Sequence, residues 1–206
     1  RRVYPVPLTG WEPIEGHAFR LSLKGEQLSF PLSLWERVGV RASDSTFFLD
    51  TAMRYHNYYP VDIVNGPGTR CTLFVSGCVH ECPGCYNKST WRLNSGQPFT
   101  DEMADRIIDD LNDTRIKRQG ITLSGGDPLH PQNVPDILAL VKRIHAECAG
   151  KDIWVWTGYK LDELNDAQKE VVDLINVLVD GKFVQDLKDP ALIWRGSSNQ
   201  VVHHLR

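Results

Sequence analysis

Three cysteines, Cys78, Cys82 and Cys85, stand in the spacing C-x3-C-x2-C directly after the apolar run from Thr69 to Ser76. A loop that must bring three thiolates to one metal leaves the chain few ways to fold around it. A cubane iron–sulfur cluster takes four thiolates and a structural zinc site four ligands, so a compact group of three implies either a distant fourth ligand or a position held open for chemistry. Cys71, Cys148 and nearby His80 are the candidates for a fourth. Cys71 lies inside the stretch Cys71-Thr72-Leu73-Phe74-Val75 and Cys148 closes a helical pattern, so both read as buried, inert thiols. An odd total of five cysteines, three of them crowded together, suits a reducing compartment better than a disulfide framework and implies a cytoplasmic protein.

From Thr69 onward, short apolar runs alternate with helical patterns. The spacing predicts strands over 69–76, 120–124, 152–157 and 177–180, and helices over 101–111, 136–148 and 164–175. Met103, Ile107 and Leu111 recur at four, while Ile137, Leu140 or Val141, Ile144 and Cys148 form one stripe. Thr100 and Asn133 are placed as helix caps. Repetition of this kind predicts an α/β fold, a parallel sheet with helices on its outer face; too few units are present for eight, so an incomplete TIM-like β/α barrel is expected.

Residues 1–52 differ from the remainder, with Pro5, Pro7, Pro13 and Pro31 and no sustained periodicity. They read as a poorly ordered or non-native N-terminal extension, with Met53 as the functional start of a domain over 53–206. The competing reading is an interaction segment anchored by Trp11 and Trp35. Arg1 and Arg2 are not followed by an apolar export segment, and no run is long enough to span a membrane. A net charge of −3 with mixed signs gives no basic footprint for nucleic acid.

In parallel α/β folds chemistry gathers at the carboxyl ends of strands. The cysteine loop, Gly125-Gly126-Asp127-Pro128, Thr157-Gly158-Tyr159 and Gly181-Lys182-Phe183 follow the four expected strands in turn, and all four should share one mouth. Paired glycines let a ligand approach the main chain closely, although, taken without the cysteines, that string reads first as a plain βα turn in which Asp127 meets nearby amides. Trp154 and Trp156 alternate with apolar neighbours and read as core residues of a strand.

Together these residues resemble the radical S-adenosylmethionine enzymes, whose signature C-x3-C-x2-C plus an aromatic is matched by Cys78, Cys82, Cys85 and Tyr86. The segment Asn65-Gly66-Pro67-Gly68-Thr69-Arg70 is similar to the Gly-Pro-Gly-x-Arg lead-in of the glycyl-radical activating group, and the tail Arg195-Gly196-Ser197-Ser198-Asn199-Gln200 extends the likeness. The resemblance implies a 4Fe-4S cluster on Cys78, Cys82 and Cys85, with S-adenosylmethionine chelating the open iron. It implies that Gly84, Cys85 and Tyr86 border the cofactor, Tyr86 near the adenine, and that Gly125, Gly126 and Asp127 hold the methionine end, Asp standing where Glu is common.

The activity so implied is reductive cleavage of S-adenosylmethionine to methionine and a 5'-deoxyadenosyl radical, which takes a hydrogen atom from a partner's glycine. No conventional acid, base or nucleophile is required, since the cofactors carry the chemistry; His80 and His130 then read as loop or surface residues. The implied partners are an anaerobic ribonucleoside-triphosphate reductase as protein substrate and a low-potential electron donor such as flavodoxin; a homodimer is compatible. Competing readings are another member of the superfamily, such as a formate-lyase activase or a deazapurine-forming synthase, or a non-enzymatic zinc or electron-transfer module completed by His80 or Cys71.

Overall fold

The computed structural model describes residues 11–14, 18–23, 26–31 and 52–206, and the chain divides into two compact units, Arg1–Asp50 and Thr51–Arg206. In the first, β1 (Trp11–Ile14), β2 (Ala18–Leu23) and β3 (Glu26–Pro31) pair antiparallel in that order. The sequence showed no sustained periodicity in this segment, yet these residues pair as strands. A signal was present: Phe19, Leu21 and Leu23 alternate with Arg20 and Ser22, the period of a strand. Trp35 and the rest of the expected extension lie outside the described residues.

The second unit holds a seven-stranded mixed sheet. Its strands are β4 (Arg54–Asp62), β5 (Arg70–Val75), β6 (Gln97–Pro98), β7 (Gly120–Gly125), β8 (Asp152–Trp156), β9 (Val177–Asp180) and β10 (Val201–His204), in the order β10-β9-β8-β7-β5-β4-β6. The four inner strands β5, β7, β8 and β9 are parallel, while β4, β6 and β10 join antiparallel at the two sides. Helices α1 (Asp101–Asn112), α2 (Val134–Glu147) and α3 (Asp166–Val172) make the three crossovers. β4 escaped the sequence reading because Pro60 interrupts it; the structure tolerates that proline beside a register shift between Tyr59 and Asp62.

Two of the three helices start on a side-chain cap. The Thr100 hydroxyl accepts from the Met103 amide at 3.3 Å, and Asp101 and Glu102 sit in the positive first turn of α1. Asn165 and Gln168 cap α3 reciprocally at 2.9 Å each way, which starts that helix after Leu164 rather than at it. Asn133 precedes α2 but makes no side-chain cap; its amide is used elsewhere, as described below.

The two faces of the sheet differ. Cys71, Leu73 and Val75 of β5, Ile121 and Leu123 of β7, Ile153 and Val155 of β8 and Leu178 of β9 form one core with the stripes of all three helices. On the alternate positions Trp154, Val177 and Val179 make a smaller cluster, with Trp156 stacked on Trp154 at 5.7 Å between ring centres, so both tryptophans pack as expected. Arg70, Thr72 and Thr122 share these alternate positions and are fully buried. Helices therefore cover one face only. Among the described residues no helix is long and apolar enough to cross a membrane.

Candidate metal centre

The loop leaving β5 is folded back on itself at once: the Gly77 amide donates to the Thr90 carbonyl at 2.7 Å and the Cys78 amide to the Trp91 carbonyl at 2.9 Å. Inside it, Glu81 (φ 46°) and Gly84 (φ 76°) take left-handed conformations that reverse the chain between successive cysteines. The Cys85 amide closes a turn on the Cys82 carbonyl at 3.1 Å, and the Asn87 amide points at the Cys85 sulfur at 3.3 Å.

All three thiols are free and half-buried. Burial, aided by Asp127 and Cys82, pushes the Cys78 thiol up to about 11 against the pull of the His80 and Glu81 amides. Cys82 is likewise raised by burial and by Cys85, and lowered by the Phe183 amide and Lys182. Among the described residues no three His, Cys, Asp or Glu side chains converge on one metal-holding point, so the thiols share a loop without closing on a common centre. The donor set fits a cluster all the same: three soft sulfurs on one short loop, with main-chain amides turned toward them.

The loops after the four parallel strands are linked in series. The Asp127 amide donates to the Gly77 carbonyl at 2.7 Å and the Gly126 amide to the Val75 carbonyl at 2.8 Å, which ties the turn after β7 to the base of the cysteine loop. Asn133 reinforces the join by donating to the carbonyls of Ser76 (2.8 Å) and Asp127 (2.9 Å). The Asp127 carboxylate receives Thr157 and Gly158 from the loop after β8, and the Tyr159 carbonyl receives the Gly181 amide from the loop after β9 at 2.9 Å. One mouth at the carboxyl ends, as expected, is the result.

His80 and His130 lie in loops, one of the two placements expected, but neither is a surface residue. The His80 side chain is 5% exposed, its Nε2 meets Asp127 Oδ2 at 2.8 Å, and its ring packs edge-on against Tyr159 at 4.6 Å. His130 is buried, and its Nδ1 accepts from the Gln132 amide at 3.1 Å. Burial lowers the basicity of that imidazole.

The segment after β9 forms a wall against the cysteine loop. Gln185 and Phe183 occupy the space beside Gly84 that a Cβ would need. Lys188 donates to the Tyr86 hydroxyl at 2.7 Å and sits 5.0 Å from its ring, leaving Tyr86 80% exposed at the rim. The tail holds this wall from behind. Gln200 donates to the Gly181 carbonyl and accepts from the Gly196 and Ser197 amides, Asn199 donates to the Lys182 carbonyl, and the Ser197 hydroxyl accepts from the Val184 amide.

The Gly-Pro-Gly-x-Arg segment lies at the opposite, amino end of β5. Fully buried Arg70 donates to Thr122 Oγ1 (2.7 Å), the carbonyls of Pro67 and Ile121 (3.0 Å each) and Asp152 (2.8 Å). A Cβ on Gly66 would come within 2.8 Å of the Arg70 side chain. That motif is a structural clamp. Cys71 and Cys148 are buried among core residues, with the Tyr58 hydroxyl donating to Cys71 and Cys148 directed at the Ile108 carbonyl. Neither approaches the loop as a fourth ligand.

A family model described as a 4Fe-4S single cluster domain matches residues 64–203. The anaerobic ribonucleoside-triphosphate reductase-activating protein of Salmonella typhimurium (strain LT2) is 92% identical over 154 residues, which are 75% of this chain and all of that protein. The chain belongs to this family. The activating protein of Escherichia coli (strain K12) is 89% identical over the same length, and that of Enterobacteria phage T4 is 47% identical over 148 residues, 72% of this chain and 92% of the phage protein. In this activating-protein family member, the matched 4Fe-4S domain spans the cysteine loop, the Gly-Gly turn and the wall alike.

Proposed function

We propose that this chain activates the anaerobic ribonucleoside-triphosphate reductase by generating its glycyl radical, as a radical S-adenosylmethionine enzyme. One observation carries the reading: a loop with three free thiols stands at the carboxyl end of a parallel strand, joined main chain to main chain with the Gly-Gly turn of the next strand. The name of the relatives supplies the target.

Cys78, Cys82 and Cys85 would hold the 4Fe-4S cluster, which when bound supplies the electron that cleaves S-adenosylmethionine to methionine and a 5'-deoxyadenosyl radical. The chain's own work is geometric and electrostatic. Gly125 and Gly126 let the turn pack main chain to main chain against β5 and the cysteine loop, and their own main-chain groups would hold the methionine end, with Asp127 completing the turn. Gly84 and Cys85 border the cofactor, and exposed Tyr86 stands at the rim, where its ring would flank the adenine. The helices cover only the outer face, which accords with a sheet curved as a partial barrel and open toward a macromolecular substrate.

The activase domain is assigned to residues 53–206, a length equal to the 154 residues matched in the relatives, with residues 1–52 outside it. A low-potential donor such as flavodoxin would reduce the centre in the cytoplasm. The test is product analysis: the anaerobically reconstituted, reduced chain should convert S-adenosylmethionine to methionine and 5'-deoxyadenosine in equal amounts. A fully loaded chain that forms neither would overturn the reading in favour of an electron-transfer module.

A further inference from the structure

We propose that the Asp127 carboxylate does not contact S-adenosylmethionine but is the hub of a buried clamp, and that His80 is the residue through which this clamp positions the cysteine loop. The inference rests on the functional reading above and assigns the roles of two side chains within that site.

A carboxylate offers about four lone-pair sites. In Asp127, Oδ1 accepts from the Leu129 amide at 2.9 Å and the Thr157 hydroxyl at 2.9 Å, while Oδ2 accepts from His80 Nε2 at 2.8 Å and the Gly158 amide at 3.0 Å. The Thr157 hydroxyl also lies 3.0 Å from Oδ2. Four separate donors thus use the whole accepting capacity of a residue that is 0% exposed. An ammonium group arriving from the mouth would find no free lone pair, and reaching the carboxylate would mean displacing a buried donor and leaving it unsatisfied. The methionine amino group is therefore left to main-chain carbonyls of the turn.

The His80 arm has a different consequence. Its ring belongs to the cysteine loop, two residues from Cys78 and two from Cys82, yet it is gripped by Asp127, by the edge-on ring of Tyr159 and by Gly158, where a Cβ would collide with the imidazole. The loops after β5, β7 and β8 therefore meet on this one side chain. Fixing the ring fixes the stretch of backbone between the first two thiols. Such outer contacts orient metal ligands and are worth roughly 10- to 100-fold in metal affinity.

The experiment uses the full chain, reconstituted anaerobically, with iron retention under a chelator and S-adenosylmethionine binding per loaded cluster measured separately. Asp127→Asn and His80→Ala should each lose iron at least about ten-fold faster than wild type, with cofactor affinity of the loaded fraction unchanged. His80→Gln, whose amide can still donate to the carboxylate, should recover most of the retention. The double variant His80→Ala, Asp127→Asn should be no worse than Asp127→Asn. Normal iron retention in Asp127→Asn with cofactor affinity reduced about ten-fold, the loss of a charge-assisted hydrogen bond, would overturn the proposal. So would wild-type retention in His80→Ala, or equal loss in His80→Ala and His80→Gln. Should Asp127→Asn fail to fold by circular dichroism, the pair of His80 variants still decides. Wild-type chain that retains iron without cleaving the cofactor would defeat the functional reading alone, because iron retention is measured independently.

Discussion

Gln200 donates to the carbonyl of Gly181 at 2.9 Å, and its own carbonyl oxygen accepts from the amides of Gly196 and Ser197. A single buried amide thus closes the tail turn and anchors the loop after β9 that walls the cysteine loop. Gln200→Ala would leave buried main-chain groups without partners, at a cost of about 2 kcal/mol. The expected outcome is a lower urea midpoint for the metal-free chain and slower cluster loading; Gln200→Glu keeps the accepting oxygen but sets a buried carboxylate oxygen against the Gly181 carbonyl, and should lower the midpoint at least as far.

Arg70 makes four hydrogen bonds at the amino end of β5, far along the strand from the thiols. Arg70→Ala should cost about 3 kcal/mol by removing one partner of a buried ion pair and taking the donor from Asp152 and from the Pro67 and Ile121 carbonyls, while Thr122 keeps its bond to the Asn65 carbonyl. Urea unfolding should show this loss, while iron bound per folded chain in the cold should match wild type. Lys at this position cannot reproduce the fork and should recover little.

Much of this was legible beforehand, for reasons specific to each element. Val177–Asp180 is a strand at the residues expected, because an uninterrupted apolar run between two turns has one reading. α3 starts two residues later than its apolar pattern because the Asn165–Gln168 capping box fixes the start, and it closes at Val172 rather than at 175. The cysteine loop was legible because its chemistry lies in one short string. The clamp was not: His80 and Asp127 are 47 residues apart, and nothing local distinguishes a buried histidine from a loop histidine. The same applies to Gln185 and Lys188, whose contacts with Gly84 and Tyr86 exist only after the sheet has formed.

Gly126 has a sharper constraint than ligand approach. A Cβ there would lie 2.5 Å from the Gly77 carbonyl oxygen, a backbone atom at the base of the cysteine loop. Gly126→Val should therefore impair iron loading as well as S-adenosylmethionine binding, where a purely ligand-facing glycine would spare the iron. Iron and sulfide analysis after reconstitution checks this.

Cys78, Cys82 and Cys85 are expected to be individually indispensable for iron retention, since the nearest other thiols are committed to the core. Cys148→Ala should keep iron and cofactor cleavage and lose about 1 kcal/mol of stability through the small cavity it leaves. An oxygen-stable, fully active Cys82→Ala chain would contradict the assignment.

Burial pushes the Cys71 thiol from 9.0 up to about 11, and the Cys78 thiol likewise. Folded values above unfolded ones mean that the stability from these neutral thiols is fully present below about pH 9 and is lost as pH rises toward 11. The metal-free chain should show a falling urea midpoint across that window, with a shallower fall in Cys71→Ala. Tyr58, whose hydroxyl is also held neutral by burial, contributes in the same direction.

The most direct test of the central claim is an electron paramagnetic resonance spectrum recorded anaerobically after the reconstituted chain is reduced and mixed with S-adenosylmethionine and the anaerobic ribonucleoside-triphosphate reductase. The account predicts a glycyl-radical doublet on the reductase, formed together with 5'-deoxyadenosine and abolished by replacing any one of Cys78, Cys82 and Cys85. Formation of 5'-deoxyadenosine without the doublet, from a fully loaded chain and competent reductase, would contradict it.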